Sequence, residues 1–336
     1  MTKTLPLFRR LSHLGRMMAA FAGSPVARWS PRPPLPAPRM PAAWPLGRGI
    51  TLWQLPVGVV RIRERHRALP ADLQDVDDKL RFPVMMSDRR MTGWLDCTAW
   101  LIDHPEGAIL VDTGESADFG TPAYFGEAAK SMGRIYPKII DATAAAGSDL
   151  ASQLTRTGIA PERIGLCVLT HTHSDHIGNL GALSGRTRLL VSPGEFAPTR
   201  GSGRLLAKLP RDGRVQETVS AESHAVAGQV MPLTARGDIF AMATPGHTVG
   251  HQSVVIDLGD RQVVLAGDAA FDDGQVDEGI IPGIIENRSL ALATYDTLRR
   301  MKQLKPTLMV FTHDGQNGEK LSGFVTSQAF NPGPCS

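Results

Sequence analysis

The sequence LTHTHSDHIG at residues 169–178 constrains this chain more than any other stretch, because it concentrates three of the ten histidines in six residues. The apolar run Ile164–Thr170 just before it predicts a buried strand, along which side chains alternate between two faces. His171 and His173 then project to the same side, where two imidazoles can converge on one ion. Asp175 and His176 follow where the chain turns and can face a second ion. The alternative interpretation is a group of histidines that only make hydrogen bonds at a strand end.

Other potential ligands stand at the ends of further predicted strands. His247 follows an apolar run at 239–244, Asp268 closes one at 262–266, and His313 closes one at 308–312. Loops at strand ends are where binding and catalytic residues are usually carried by a rigid scaffold. Asp112 also ends a strand, but we predict that it orients a ligand or caps the turn instead of binding metal.

This pattern resembles the metallo-β-lactamase superfamily, whose hallmark is HxHxDH followed by a distant His, an Asp and a final His. The resemblance covers about residues 47–320. The gaps of 71, 21 and 45 residues from His176 through His247 and Asp268 to His313 are similar to those of the N-acyl-homoserine lactone hydrolase branch. The segments HPEG at 104–107, ILVDTG at 109–114 and VFTHD at 310–314 also look like that branch.

The resemblance implies an αββα sandwich, an α/β fold, with a two-metal site at one edge of its sheets. The implied ligands are His171, His173 and His247 for the first ion, Asp175, His176 and His313 for the second, and Asp268 bridging both. Five imidazoles and two carboxylates suit zinc, with iron, manganese or cobalt as alternatives.

The reaction that the resemblance implies is hydrolysis of a lactone ester, an N-acyl homoserine lactone or a related small molecule. A hydroxide held between the two ions would attack the carbonyl, and Asp175 would pass the proton to the leaving oxygen. Lactonases of this branch usually carry a tyrosine between the HxHxDH motif and the next histidine, and this chain has none between His176 and His247. Another ester or a phosphotriester, as in enzymes resembling methyl-parathion hydrolase, is therefore the alternative substrate class. A non-catalytic metal-binding module is disfavoured because all seven ligands are present.

The N-terminal part of the chain differs from the rest in composition. Residues 1–63 contain ten Lys or Arg and no acidic residue, which leaves 26 basic against 33 acidic residues beyond them. The body is therefore mildly acidic, and we do not expect it to carry a basic groove that binds nucleic acid. We predict a tail at residues 1–46 and a hydrolase domain at 47–336. The tail has eight prolines between Pro25 and Pro45, and is interpreted as a disordered, targeting or membrane-surface segment.

The N-terminal part also bears on where the protein is located. Residues 5–22 place apolar side chains at helical spacing between arginines, as in segments that lie on a membrane surface. We expect a cytoplasmic protein, with export or membrane association through the tail as the alternative, and a homodimer as its assembly.

Apolar runs and punctuating residues also predict the regular elements of the body. Strands are expected at Ala99–Ile102, Ala108–Asp112, Ile164–Thr170, Leu189–Ser192, Ile239–Thr244, Ser253–Leu258, Gln262–Ala266 and Leu308–Thr312. Helices are expected at Tyr124–Ser131, Asp149–Thr157 and Ser289–Gln303, the last with Ser289 as N-cap. His251 is interpreted as a core or surface histidine in preference to a partner of a ligand. Asp314 is interpreted equally as a partner of His313 or as a turn cap.

Overall fold

The computed structural model describes residues 32–125, 132–197 and 204–327, in which two stacked β-sheets are covered by helices. The strands are β1 Ala42–Gly47, β2 Ile50–Arg61, β3 Leu95–His104, β4 Gly107–Val111, β5 Asp141–Thr143, β6 Ile164–Val168, β7 Arg188–Val191, β8 Val215–Glu217, β9 Glu222–His224, β10 Gly228–Pro232, β11 Ile239–Ala243, β12 Gln252–Asp257, β13 Gln262–Leu265 and β14 Thr307–Val310. The helices are α1 Glu64–Arg67, α2 Asp78–Met86, α3 Pro122–Phe125, α4 Met132–Ile139, α5 Leu150–Thr157, α6 Ser174–Ile177, α7 Asp273–Glu278, α8 Arg288–Leu304 and α9 Asn317–Thr326.

The first sheet has the strand order β1-β2-β3-β4-β6-β7-β8, with β5 paired to β2. From β4 to β8 its neighbouring strands run parallel, so these strands carry their carboxyl ends to one edge. The second sheet has the order β14-β13-β12-β11-β10-β9, in which β13 and β14 are parallel.

Alternation along the strands divides the apolar residues among three layers. On β3, Trp100 and Ile102 pack between the sheets against residues such as Val254 of β12. The intervening Leu101 points outward and packs with Leu154 of α5. Helix α8 covers the outer face of the second sheet in the same way. The order is thus helices, sheet, sheet, helices, which confirms the predicted αββα sandwich.

Helix ends follow local hydrogen bonding. Asp149 caps α5 by accepting a hydrogen bond from the Ser152 N–H at 2.9 Å, and the helix stops at Gly158, whose φ is 72°. Asn287 caps α8, accepting from the Leu290 N–H at 2.9 Å, so the predicted N-cap at Ser289 is wrong by two residues. Asparagine and serine cap helices equally well, and the sequence contains both near this end. Of the predicted helix Tyr124–Ser131, residues 126–131 lie outside the described residues.

The sheet takes in residues that the sequence analysis assigned to the tail. Strand β1 begins at Ala42, and Leu46 is buried against the inter-sheet core. Ahead of it, the Trp94 indole donates to the Pro33 carbonyl at 3.1 Å, and Arg39 pairs with Asp96. The division into residues 1–46 and 47–336 stays a prediction, and the segment 5–22 lies outside the described residues. Within the described ranges, no helix combines the length and the apolar character that crossing a membrane requires.

Candidate metal centre

Seven side chains that the sequence singled out meet at one edge of the two sheets. His171, His173 and the short helix α6 follow β6, and the remaining three residues follow β11, β13 and β14. Their potential ligand atoms form two groups, in each of which all atoms lie within 4.8 Å of one another. The groups are His171, His173 and His247, and Asp175, His176, Asp268 and His313.

The first group is a triangle of imidazole nitrogens. His171 Nε2 lies 2.9 Å from His173 Nδ1, and His247 Nε2 lies 3.1 and 2.9 Å from those two atoms. Each nitrogen offers either one N–H or one lone pair, so hydrogen bonds can satisfy two of the three contacts at most. A cation in the triangle would satisfy all three lone pairs at once.

The second group combines two imidazoles with two carboxylates. His313 Nε2 lies 3.3 Å from Asp175 Oδ2 and 3.4 Å from Asp268 Oδ2. His176 Nε2 lies 3.4 Å from Asp268 Oδ1. His176 Nε2 and Asp268 Oδ1 are both buried without a hydrogen-bond partner in the described part of the chain. Buried polar atoms rarely stay unpaired, so this pair fits a divalent ion that the two atoms would share.

Asp268 connects the two groups. Its Oδ2 lies 3.6 Å from His247 Nε2 of the first group as well as 3.4 Å from His313 Nε2 of the second. A carboxylate with one face toward each group is placed as a bridging ligand would be.

Three imidazoles are turned toward the centre by hydrogen bonds on their far sides. His176 Nδ1 donates to Asp112 Oδ2 at 2.8 Å, and His313 Nδ1 donates to the Asp96 carbonyl at 2.6 Å. His247 Nδ1 donates to the Ile284 carbonyl at 3.2 Å. Each bond places the proton of the ring on Nδ1 and turns Nε2 toward the centre, where it can bind a metal once any proton on it is displaced.

The electrostatics of the cluster also favour a cation. Burial, strengthened by neighbouring imidazoles, lowers the pKa of His171 and of His247, so both rings stay neutral. Burial alone would raise the pKa of Asp268, but His313 and His176 outweigh it and hold that pKa well below its usual value. Burial would lower the pKa of His313, yet Asp268 and Asp175 raise it to about 10. The carboxylates thus demand positive charge, which metal binding would supply in place of protons.

A family comparison agrees with this geometry. Residues 92–313, about two thirds of the chain and all seven residues of the cluster, match the model of the Metallo-beta-lactamase superfamily. The chain belongs to this superfamily.

Individual proteins also resemble the chain. An N-acyl homoserine lactonase of Bacillus sp is 27% identical over 225 residues, which is 66% of this chain and 82% of the relative. The N-acyl homoserine lactonase AttM of Rhizobium johnstonii is 23% identical over 217 residues, covering 61% and 74%.

Solved structures of lactone hydrolases share the fold. A structure of an N-acyl homoserine lactone hydrolase, with the product N-hexanoyl-L-homoserine at its catalytic metal centre, superposes with a TM-score of 0.58. It is 19% identical and covers 80% of this chain and 94% of its own. The dizinc lactonase AidC superposes with a TM-score of 0.55 at 15% identity, covering 83% and 92%. At these identities the likeness shows the fold alone.

The sequence analysis left open the roles of three further residues, and two of them contact the seven-residue cluster. Asp112 accepts from His176 and also from the Thr170 N–H and hydroxyl, at 2.7 and 2.8 Å. It therefore orients a cluster residue, as predicted. His251 is buried, and its Nε2 accepts the Asp268 N–H at 3.0 Å, so it holds the backbone of that residue in addition to packing in the core. Asp314 caps its turn, accepting from the Gln316 N–H at 2.9 Å, and pairs with Lys320.

Two buried carboxylates behind the motif were missed by the sequence reasoning. Glu195 is fully buried and hydrogen-bonds to Thr172, between the first two histidines. Glu115 accepts from the Tyr124 hydroxyl at 2.6 Å, and that hydroxyl also lies 3.1 Å from the Ser174 carbonyl. Neither carboxylate stands at a recognisable spacing from HxHxDH, so no local signal marks them.

Proposed function

We propose that this chain is a metal-dependent hydrolase that opens the ester ring of N-acyl homoserine lactones, a quorum-quenching activity. The observation that carries the proposal is the position of Asp268 between two groups of ligand atoms. The lactonase relatives from Bacillus and Rhizobium support the substrate class.

The proposed ligands are His171, His173 and His247 for one divalent ion and Asp175, His176 and His313 for another, with Asp268 on both. Two zinc ions held there would lower the pKa of a bound water and polarise the ester carbonyl. The far-side hydrogen bonds of His176, His247 and His313 keep these rings in place with Nε2 toward the ions.

Asp175 is the proposed proton carrier. Its carboxylate lies at the edge of the second group, with Oδ2 3.3 Å from His313 Nε2 and Oδ1 3.9 Å from His176 Nε2. A carboxylate beside the ester can accept the proton of the attacking water and deliver it to the leaving oxygen.

One experiment tests metal content and substrate together. Metal is counted on purified protein by mass spectrometry, and hydrolysis of a long-chain N-acyl homoserine lactone is followed by pH titration before and after chelation. We expect about two zinc ions per chain and lactone opening that is lost on chelation and restored by zinc. Two ions without lactone opening would contradict the substrate and retain the hydrolase.

The second candidate function is hydrolysis of another ester or a phosphotriester at the same centre. It is favoured by the absence of tyrosine between His176 and His247, and by two tyrosines engaged elsewhere. The Tyr124 hydroxyl donates to Glu115, and the Tyr295 hydroxyl donates to the Ile280 carbonyl at 3.3 Å. Parallel assays with a phosphotriester and an aryl ester distinguish this candidate from the first.

The proposals on location concern the basic N-terminal part. We infer a cytoplasmic protein, with export or membrane contact through residues 5–22 as the alternative. Cell fractionation with and without residues 1–31 tests the location. A homodimer is proposed as well, and sedimentation equilibrium tests it.

A further inference from the structure

A histidine outside the seven-residue cluster lies beside the same centre. His66 of α1 is 8% exposed, and its Nδ1 has no hydrogen-bond partner among the described residues. The charged groups that act on it are His173 of the first group, Asp175 and His313 of the second, and Asp268. Hydrogen bonds join its helix to the segments that contact His247 and His313, although the sequence places it more than a hundred residues from the motif.

One side of α1 is fixed to the segment that orients His247. The Gly283 N–H donates to the His66 carbonyl at 3.0 Å, and the next residue, Ile284, accepts from His247 Nδ1. Gly283 approaches so closely that a Cβ on it would lie 1.9 Å from the Arg65 carbonyl oxygen. The contact requires glycine and leaves α1 no room to slide.

The other side of α1 is fixed to the segment that covers His313. Gln275 donates to the Arg67 carbonyl and accepts from the Phe271 N–H, both at 2.9 Å. The Phe271 ring is stacked on the His313 ring, with centroids 5.5 Å apart and planes 25° apart. The short helix that carries His66 is thus held against two segments, one that contacts His247 of the first group and one that contacts His313 of the second.

A neutral imidazole at this position can donate one hydrogen bond. Burial is the largest influence on His66, and together with the nearby imidazoles it lowers the pKa of the ring to about 3. The imidazole is neutral at the pH of ester hydrolysis and carries one N–H and one bare nitrogen. Because His66 Nδ1 has no hydrogen-bond partner among the described residues, the ring can still bond to a bound molecule.

We propose that His66 is a catalytic residue that contacts the substrate, donating its imidazole N–H to an oxygen of the ester group bound at the metal centre. The inference rests on the proposed function, because it takes an ester as the occupant of the centre. A donor held rigidly at a developing oxyanion acts mainly on the transition state.

The test compares His66→Phe, which keeps a ring and removes both nitrogens, with His66→Gln, which retains an N–H donor. His224→Phe is the matched control, since His224 lies on β9 and its ring nitrogen accepts from Val226 and Ala227. We expect His66→Phe to lower kcat/KM about 10- to 100-fold, mostly through kcat, with metal content and Tm unchanged. His66→Gln recovers part of the loss, and the control matches the wild type.

Failure of this proposal and failure of the proposed function give different results. A wild type that opens no lactone contradicts the proposed function, and the same variants are then compared on the aryl ester and the phosphotriester. A His66→Phe enzyme whose kcat/KM stays within twofold of the wild type overturns the role of His66, and so does one that loses metal. A wild type inactive on all three substrates overturns both.

Discussion

Glu195 accepts two hydrogen bonds from Thr172, one from the backbone N–H at 2.9 Å and one from the hydroxyl at 2.7 Å. Its other oxygen accepts from the Thr248 hydroxyl. Thr172 separates His171 from His173, and Thr248 follows His247. One buried carboxylate therefore ties together the two chain segments that carry all three imidazoles of the first group.

Replacing Glu195 should weaken both the fold and metal binding. In Glu195→Ala three buried donors lose their acceptor, which costs about 3 kcal/mol of unfolding free energy. The loosened segments should also release the first ion more readily. Urea unfolding and chelator competition measure the two effects, with Glu217→Ala on exposed β8 as the control. Unchanged metal affinity in a destabilised Glu195→Ala protein would limit this residue to the fold.

Asp112→Asn tests the orientation of His176. Asp112 has a φ of 62°, a conformation that asparagine tolerates and alanine does not, so the backbone should be retained. The amide cannot hold the Nδ1 proton of His176 as a carboxylate does, so we expect about a 10- to 100-fold lower affinity for the second ion. Chelator competition with the metal-loaded protein measures it. Full affinity in Asp112→Asn would show that a neutral acceptor is sufficient.

The cluster could be predicted because its residues obey a local rule. Each one ends or follows an apolar run, and the eight predicted strands all exist within one or two residues, except that β3 extends further at its N-terminal end. Strand ends at one edge of a sheet converge whatever the detailed packing, so residues as distant as His171 and His313 could be assigned to one site.

Strands β1 and β2, which both contain proline, were missed. Pro45 lies within β1 and argued for a linker, but β1 is the edge strand of its sheet, where a missing N–H is tolerated. Strand β2 contains Pro56 and Gly58, and its pairing with β3 shifts register between Pro56 and Val59. This irregular part of β2 is held by its pairing with β3, which is distant in sequence. The position of His66 depends in the same way on Gly283 and Gln275, which are distant in sequence.

Two truncations of the N-terminal part test whether the folded domain begins after residue 46 or before it. Deleting residues 1–46 removes most of β1, the buried Leu46 and the Arg39–Asp96 pair, whereas deleting residues 1–31 removes none of these. The longer deletion also disturbs Asp96, whose carbonyl orients His313. We expect it to lower Tm by several degrees more than the shorter one, because β1 buries apolar surface worth about 2 kcal/mol or more. Equal Tm values would mean that β1 adds no stability.

The Asp268→Asn variant tests whether Asp268 is a ligand of both ions or whether the two ions bind independently of it. The amide has nearly the same size as the carboxylate. It bridges two cations poorly, because it is uncharged and only one of its two terminal atoms is an oxygen. We expect about one ion per chain in place of two, and a kcat about a thousand-fold lower. Asp260→Asn, at an exposed turn, is the control. Two retained ions with full turnover in Asp268→Asn would contradict the bridging role.

Glu115 should impose a pH dependence on stability. Burial, followed by the charge of Asp175, raises the pKa of Glu115 from 4.5 to about 7. The folded protein thus binds a proton that the unfolded chain has released between these two pH values. The contribution of neutral Glu115 is fully present below about pH 4.5 and is lost as the pH rises through 7.

Glu115→Gln removes this dependence, because the amide stays neutral and its oxygen still accepts from the Tyr124 hydroxyl. Between pH 5 and 8 the variant should gain about 2–3 kcal/mol of unfolding free energy over the wild type. Taking the difference at each pH cancels every other titration that the two proteins share. The Tyr124→Phe variant should instead strengthen the pH dependence. The Tyr124 hydroxyl lowers the pKa of Glu115, so removing it should shift the loss of stability to higher pH. A difference between wild type and Glu115→Gln that is constant from pH 5 to 8 would mean that Glu115 titrates outside this range.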